Sequence, residues 1–101
     1  MDDDREYARV RFDGSILFGS AGGPRELQGR CINLSHTGLQ FETAARLEEG
    51  SILEAVISTD DRKFRPMEIT FVIVRIEGAR DGYFRVSGEI TMMDGRALGL
   101  R

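Results

Sequence analysis

Short apolar runs recur roughly every ten residues along the chain, and Gly- or Asp-rich turns separate them. Apolar and polar residues alternate in several runs, as in Leu39-Gln40-Phe41-Glu42, which is typical of strands with one buried face. The longest apolar run, residues 69–74, is rich in β-branched residues and favours a central strand. The pattern predicts six strands: 10–18 with a turn or bulge at Asp13-Gly14, 27–32, 39–42, 52–58, 69–74 and 83–91.

This spacing of strands predicts an all-β sandwich or barrel. Closure into a barrel would remove the exposed strand edges that promote aggregation. Helix is expected only as one turn within 44–50 and as at most a short C-terminal helix within 92–100. Residues 1–8 show no periodicity and predict a flexible N-terminal arm, followed by a domain over 9–101.

Composition narrows the classes of function. The formal charge of −3 argues against a surface for bulk nucleic acid, which usually carries a basic stripe. No apolar run approaches the ~20 residues of a membrane-spanning helix, and the acidic start lacks the apolar segment of a signal peptide. We therefore expect a cytoplasmic protein without membrane insertion. The single Cys31 is expected to be a small buried hydrophobe.

Residue types that support catalysis or metal binding are scarce. The chain has one His and one Cys, whereas zinc sites need several such ligands. His36 follows Ser35, but no acidic residue is placed to complete a triad, so an exposed loop residue is favoured. We predict a binding module that is not an enzyme and holds no metal or cofactor.

Two short motifs carry candidate binding chemistry. Asn33 offers an amide that donates and accepts, Ser35 offers a hydroxyl, and Gly38 permits positive φ or close approach of a ligand. Arg5 and Arg9 precede the first strand, and their planar guanidinium groups suit phosphate or the edge of guanine. Taken singly, the first motif is typical of a capped turn, and the second is typical of solvated charge.

Arg5-x-x-x-Arg9 followed by Asn33-x-Ser35-x-x-Gly38 resembles the PilZ domain family. The resemblance covers nearly the whole chain and implies a six-stranded antiparallel β-barrel that binds the bacterial second messenger cyclic di-GMP. It implies that Arg5 and Arg9 clamp phosphate and guanine. It also implies that Asn33 bonds the Watson–Crick edge of guanine, that Ser35 bonds a guanine or phosphate atom, and that Gly38 keeps the site floor open.

The chain departs from the family pattern at two places. Many members carry an additional Arg where this chain has Asp4, and an acid there repels phosphate. In the last strand, Ser87-Gly88-Glu89-Ile90 stands where the family often has Gly before a Val-Glu-Phe-like end, so the site floor is expected to be tighter or shifted.

The preferred function is therefore a stand-alone, single-domain receptor for cyclic di-GMP that regulates an unidentified effector protein. The first alternative is a degenerate PilZ-like module that binds a protein and no nucleotide. The second alternative, a barrel for single-stranded nucleic acid, would need a basic groove with exposed aromatic residues. The acidic balance of the chain argues against it.

Asp4 generates a prediction about stoichiometry. Because a carboxylate stands where many relatives hold an Arg, the protein should bind one cyclic di-GMP per protomer, or bind it weakly. Asp4→Arg should strengthen binding or raise the ligand count, measured by calorimetric titration. Two ligands per protomer in the unaltered protein would contradict this reasoning.

Overall fold

The computed structural model describes residues 10–60 and 65–97. The predicted arm at 1–8 lies outside these residues, as do Arg5, Arg9 and part of the turn predicted at 59–63. The described chain forms seven strands: β1 (Val10–Ser20), β2 (Leu27–Leu34), β3 (Gly38–Thr43), β4 (Ile52–Ser58), β5 (Met67–Gly78), β6 (Phe84–Met93) and β7 (Arg96–Ala97).

Six of these strands close into an antiparallel barrel. The neighbours follow the order β3-β2-β1-β4-β5-β6, and β3 also pairs with β6, which completes the ring. The two-residue β7 pairs with the end of β6. The predicted all-β barrel of six antiparallel strands is confirmed.

The core lies inside this barrel because each strand turns alternate residues inward. Three phenylalanines from different strands meet at its centre, with ring centroids 5.1 Å apart for Phe18 and Phe41 and 5.7 Å apart for Phe41 and Phe71. Cys31 is fully buried beside them, and this burial raises the pKa of its thiol to about 12. The thiol therefore stays protonated and packs as the small hydrophobe that was predicted.

Strand β1 is continuous through Asp13-Gly14, where the sequence predicted a turn or bulge. Its register against β2 shifts between Arg11 and Gly14, so the feature is a bulge. A bulge adds one residue to one strand and bends it, which lets β1 pair with β2 along its length and with β4 from Ser15 onward.

The helical turn expected within 44–50 is wrong. The buried Thr43 hydroxyl donates to the Gln28 carbonyl and accepts from the Ala45 N–H, which fixes the chain as it leaves β3. Gly50, at a φ of 91°, then donates its N–H to the Ile73 carbonyl. The segment is thus held by bonds to β2 and β5 and by one turn bond from the Ser51 N–H to the Glu48 carbonyl.

The C-terminal helix is also absent from the described residues, which end at Ala97. Strand β6 continues to Met93, and Asp94-Gly95 forms a tight turn with φ of 51° and 84° before β7. Asp-Gly is a favoured pair for such hairpin turns. The Asp94 N–H also donates to the Glu68 carbonyl, and its carboxylate accepts from the Glu68 N–H, so the turn is held against β5.

Gly88 of β6 provides a test of the barrel interior. A methyl group built at this position would lie 2.6 Å from Phe71 and 3.1 Å from Leu39, both of which are buried. Overpacking of this kind costs about 1–3 kcal/mol, so Gly88→Ala should lower the free energy of unfolding by that amount in urea denaturation.

Gly78→Ala is the matched control, because a methyl group there meets no atom within 4 Å. It should leave stability within about 0.5 kcal/mol of the parent. Equal stability of the two variants would show that the barrel has room at Gly88.

Candidate ligand-binding site at the turn between β2 and β3

A bulge in β2 determines which way Asn33 points. The register between β2 and β3 pairs Cys31 with Phe41 and then Asn33 with Gln40, so Ile32 is an extra residue. Strict alternation from the buried Cys31 would have turned Asn33 inward. The extra residue turns Asn33 to the outer face and returns Leu34 to the core.

Ser35 shapes the turn that joins β2 to β3. Its hydroxyl oxygen accepts from the N–H groups of Thr37 at 3.3 Å and Gly38 at 3.1 Å, and the hydroxyl lies 3.3 Å from the Gly38 carbonyl, to which it donates. The Ser35 N–H donates to the same carbonyl, and the Thr37 carbonyl accepts from the N–H of Ile90 in β6. The turn is therefore held by its own serine and by a neighbouring strand.

Gly38 has a different role from the positive φ that the sequence suggested. It begins β3 and has no positive φ, so that part of the expectation is wrong. A methyl group at Gly38 would lie 3.3 Å from the Gly88 carbonyl of the adjoining strand. The glycine therefore allows close approach of two backbones at the site floor.

Asn33 belongs to a row of polar side chains across three strands. It lies opposite Gln40, which lies opposite Ser87, and all three are half-buried on the outer face. Asn33 Nδ2 donates to Gln40 Oε1 at 2.9 Å, and Gln40 Nε2 donates to Ser87 Oγ at 3.2 Å. Within the described ranges, Asn33 Oδ1 makes no hydrogen bond.

This row borders a groove of about 190 Å³. Sites that enclose a drug-sized ligand usually measure ~300–1,000 Å³, so the groove is suited to one part of a larger ligand. The structure brings the predicted residues Asn33, Ser35 and Gly38 together here. The described residues that line the groove are Asn33, Leu34, Ser35, Gly38, Leu39, Gln40, Ser87 and Gly88.

Sequence reasoning missed Gln40 as a member of the site and reached Ser87 only through the family resemblance, which placed the segment 87–90 at the site floor. Alternation marked Gln40 as an outward residue of the strand after the motif, and this signal was available in the sequence. Ser87 is 47 positions away from Gln40. No local pattern marks it, because only the pairing of β3 with β6 brings the two together.

The groove supplies hydrogen bonds but no charge, since none of the described residues that line it has an ionisable side chain. Two arginines on the outer face are each paired with a carboxylate. Arg30 Nε lies 3.2 Å from Asp13 Oδ1, and an Arg85 nitrogen lies 3.1 Å from Glu42 Oε2. A phosphate at the groove would need cations from another part of the chain.

The start of β1 pairs with the part of β2 that borders the groove. Arg11 lies opposite Asn33 in the β1–β2 register, and Val10 lies opposite Leu34. Arg9 is bonded directly to Val10, and consecutive Cα atoms are about 3.8 Å apart. Arg9 and Arg5 themselves lie outside the described residues.

A second, larger groove of about 740 Å³ lies on the outer face near the turn between β5 and β6. Arg30, Arg80, Glu42 and Asp81 line it together with the exposed Tyr83, so it mixes both charges. Nowhere in 10–60 or 65–97 do three His, Cys, Asp or Glu side chains gather closely enough to hold a metal ion. The described chain also contains no helix long and apolar enough to cross a membrane.

Comparison with known proteins supports the fold at two levels. Among solved structures, the chain resembles the Bacillus subtilis inhibitor of motility (MotI/DgrA), with a TM-score of 0.69 and 17% identity. The match covers 84% of this chain and 41% of that chain, so the present sequence spans less than half of the solved protein. No curated protein matches the sequence.

A family-level match identifies the domain. The sequence model of the PilZ domain matches residues 3–99 of the 101, which includes both motifs described above. The chain therefore belongs to the PilZ domain family.

Proposed function

We propose that this PilZ domain is a cyclic di-GMP receptor that regulates a partner protein. The observation that carries the proposal is the β1–β2 register, in which Val10 and Arg11 lie opposite Leu34 and Asn33. Because Arg9 precedes Val10 in the chain, this register supports the proposal that the Arg5/Arg9 motif acts at the groove formed by the Asn33/Ser35/Gly38 motif. In this proposal the two motifs, which are separated in sequence and weak singly, bind the same ligand.

The groove takes the guanine base in this proposal. Asn33 faces outward with its carbonyl oxygen available among the described residues, and bonds the Watson–Crick edge of the base. Gly38 and Gly88 form a floor without side chains, which lets a flat ring lie against the backbone. The groove of about 190 Å³ accommodates one base, and the rest of the dinucleotide lies over the adjoining surface.

Arg5 and Arg9 supply the charge that the groove lacks. Guanidinium groups bind phosphate and can fork onto the guanine edge, so one pair of residues can neutralise the ligand and cover its bases. Cyclic di-GMP is the only small ligand proposed, with no metal and no other cofactor.

Partner regulation follows from the segment that carries these arginines. In this proposal the ligand orders the arm that the sequence predicts over residues 1–8, and fixing five of its residues costs about 5–10 kcal/mol of backbone entropy, which is comparable to the ~8 kcal/mol of a micromolar affinity. Binding is then moderate, and the ordered arm presents a new surface to an effector protein. The name of the Bacillus subtilis neighbour, an inhibitor of motility, is consistent with this adaptor role.

The alternative is a PilZ-like interaction module that binds no nucleotide. It is favoured by the neutral groove and by the acid at Asp4, beside the arginine motif. Calorimetric titration with cyclic di-GMP distinguishes the two, because only the receptor releases or absorbs heat in a saturable manner.

The arginine pair gives a direct test. A bidentate Arg–guanine contact is worth about 1–3 kcal/mol, so Arg5→Ala and Arg9→Ala should each weaken cyclic di-GMP binding about tenfold or more. The control is Arg75→Ala, which removes an exposed Arg that pairs with Glu77 on β5. It should leave affinity nearly unchanged. Parental affinity in the double variant of Arg5 and Arg9 would contradict the clamp.

Ser35 gives a second test, because its hydroxyl is engaged in the turn. Ser35→Ala should lower the free energy of unfolding by about 0.5–1.5 kcal/mol through the lost hydrogen bonds, and should weaken cyclic di-GMP binding by loosening the turn. Ser35→Thr keeps the hydroxyl and should retain most of both properties. Urea denaturation and calorimetry measure them. Full stability of Ser35→Ala with lost binding would instead indicate direct contact between the hydroxyl and the ligand.

A further inference from the structure

The orientation of the Asn33 amide is determined by its neighbour. An Asn side chain can present either an oxygen acceptor or an NH₂ donor, depending on which end another group occupies. Here Asn33 Nδ2 donates to Gln40 Oε1 at 2.9 Å. Gln40 is oriented in turn, because its Nε2 lies 3.2 Å from Ser87 Oγ and donates to it. One N–H of the Asn33 amide is therefore engaged, and among the described residues its oxygen has no partner and remains for a ligand.

The two purines differ in what they offer to such an acceptor. The Watson–Crick edge of guanine carries two adjacent donors, N1–H and the N2 amino group. Adenine offers only its N6 amino group beside the lone pair of N1, which repels an oxygen. An outward Oδ1 therefore favours guanine, whereas an outward Nδ2 would favour the acceptor N1 of adenine.

We propose that Gln40 is a positioning residue that determines the selectivity of the site for guanine over adenine. It acts through Asn33 and does not itself contact the base in this proposal, which rests on the cyclic di-GMP function proposed above. Gln40 is suited to testing because it points outward between the buried residues Leu39 and Phe41. Changing its side chain leaves both core residues in place.

Two substitutions of Gln40 by side chains of similar length distinguish a change in the orientation of the Asn33 amide from a general change in affinity. Gln40→Glu offers only acceptors at neutral pH, so it continues to receive the Asn33 donor and can accept from the Ser87 hydroxyl. Gln40→Lys offers only donors, so it pulls Asn33 Oδ1 toward itself and turns Nδ2 outward. The opposite charges of Glu and Lys change affinity for both anionic nucleotides, but a ratio of affinities cancels that shared effect.

The experiment measures dissociation constants for cyclic di-GMP and cyclic di-AMP in the parent and both variants. Gln40→Glu should keep the parental ratio of the two constants. Gln40→Lys should reduce the preference for guanine about tenfold, which is within the discrimination given by one good base-edge contact. If the parent prefers cyclic di-GMP and Gln40→Lys has the same ratio of dissociation constants, the positioning role of Gln40 is overturned. The proposed function is not affected by that result.

A rescue variant distinguishes positioning from a structural role. Asn33→Asp presents acceptor oxygens at both ends of the side chain, so its outward atom no longer depends on residue 40. Adding Gln40→Lys to Asn33→Asp should therefore leave guanine preference intact. If the double variant loses selectivity as the Gln40→Lys single variant does, residue 40 acts by another route and the proposal fails.

A measurement without ligand keeps the inference separate from the proposed function. In NMR spectra of the free protein, the Asn33 side-chain NH₂ should show the shift of a hydrogen-bonded donor in the parent and in Gln40→Glu, and should lose it in Gln40→Lys. An Asn33 NH₂ that is solvent-like in the parent would overturn the positioning role. A parent that binds neither nucleotide would overturn the proposed function, and with it the selectivity role, even where the NMR result holds.

Discussion

The pairing of β3 with β6 is the interaction on which the rest of the structure depends. It joins the first and last long strands of the ring order and so closes the barrel around its phenylalanine core. The same pairing sets Gln40 opposite Ser87 and Leu39 opposite Gly88. One ladder of backbone hydrogen bonds thus completes the core on its inner side and assembles the groove on its outer side.

Much of this fold could be predicted from the period of two in the sequence, because alternation reports directly which face of a strand is buried. The limits of the last two long strands were harder to predict, since β5 extends to the polar residues Glu77 and Gly78 and β6 extends to Met93. Pairing of Gly78 with Phe84 sustains the exposed end of β5, whereas the end of β6 is apolar and Met93 packs against the core. The Asp94-Gly95 turn had a local signal, but the segment 92–100 was expected to form at most a short helix.

The candidate site was only partly predictable from the sequence. The β2–β3 turn residues could be identified because Asn, Ser and Gly serve turns and ligands alike. The outward direction of Asn33 could not, because it depends on one extra residue at Ile32 that simple alternation does not reveal. Ser87 joined the site only through a contact between distant strands. Neighbours in sequence are thus predictable from pattern, whereas neighbours across strands require the register.

Gly88 shows how thin the wall is between the groove and the core. Its backbone lines the groove on one side, while Phe71 and Leu39 lie directly behind it. A synthetic inhibitor of this site therefore cannot gain affinity by filling a deep pocket, because a substituent directed toward the barrel interior would meet the core directly behind Gly88. Affinity would have to come from a flat scaffold that extends sideways across the strands. Its contacts there would be hydrogen bonds to polar side chains and not the filling of apolar cavities.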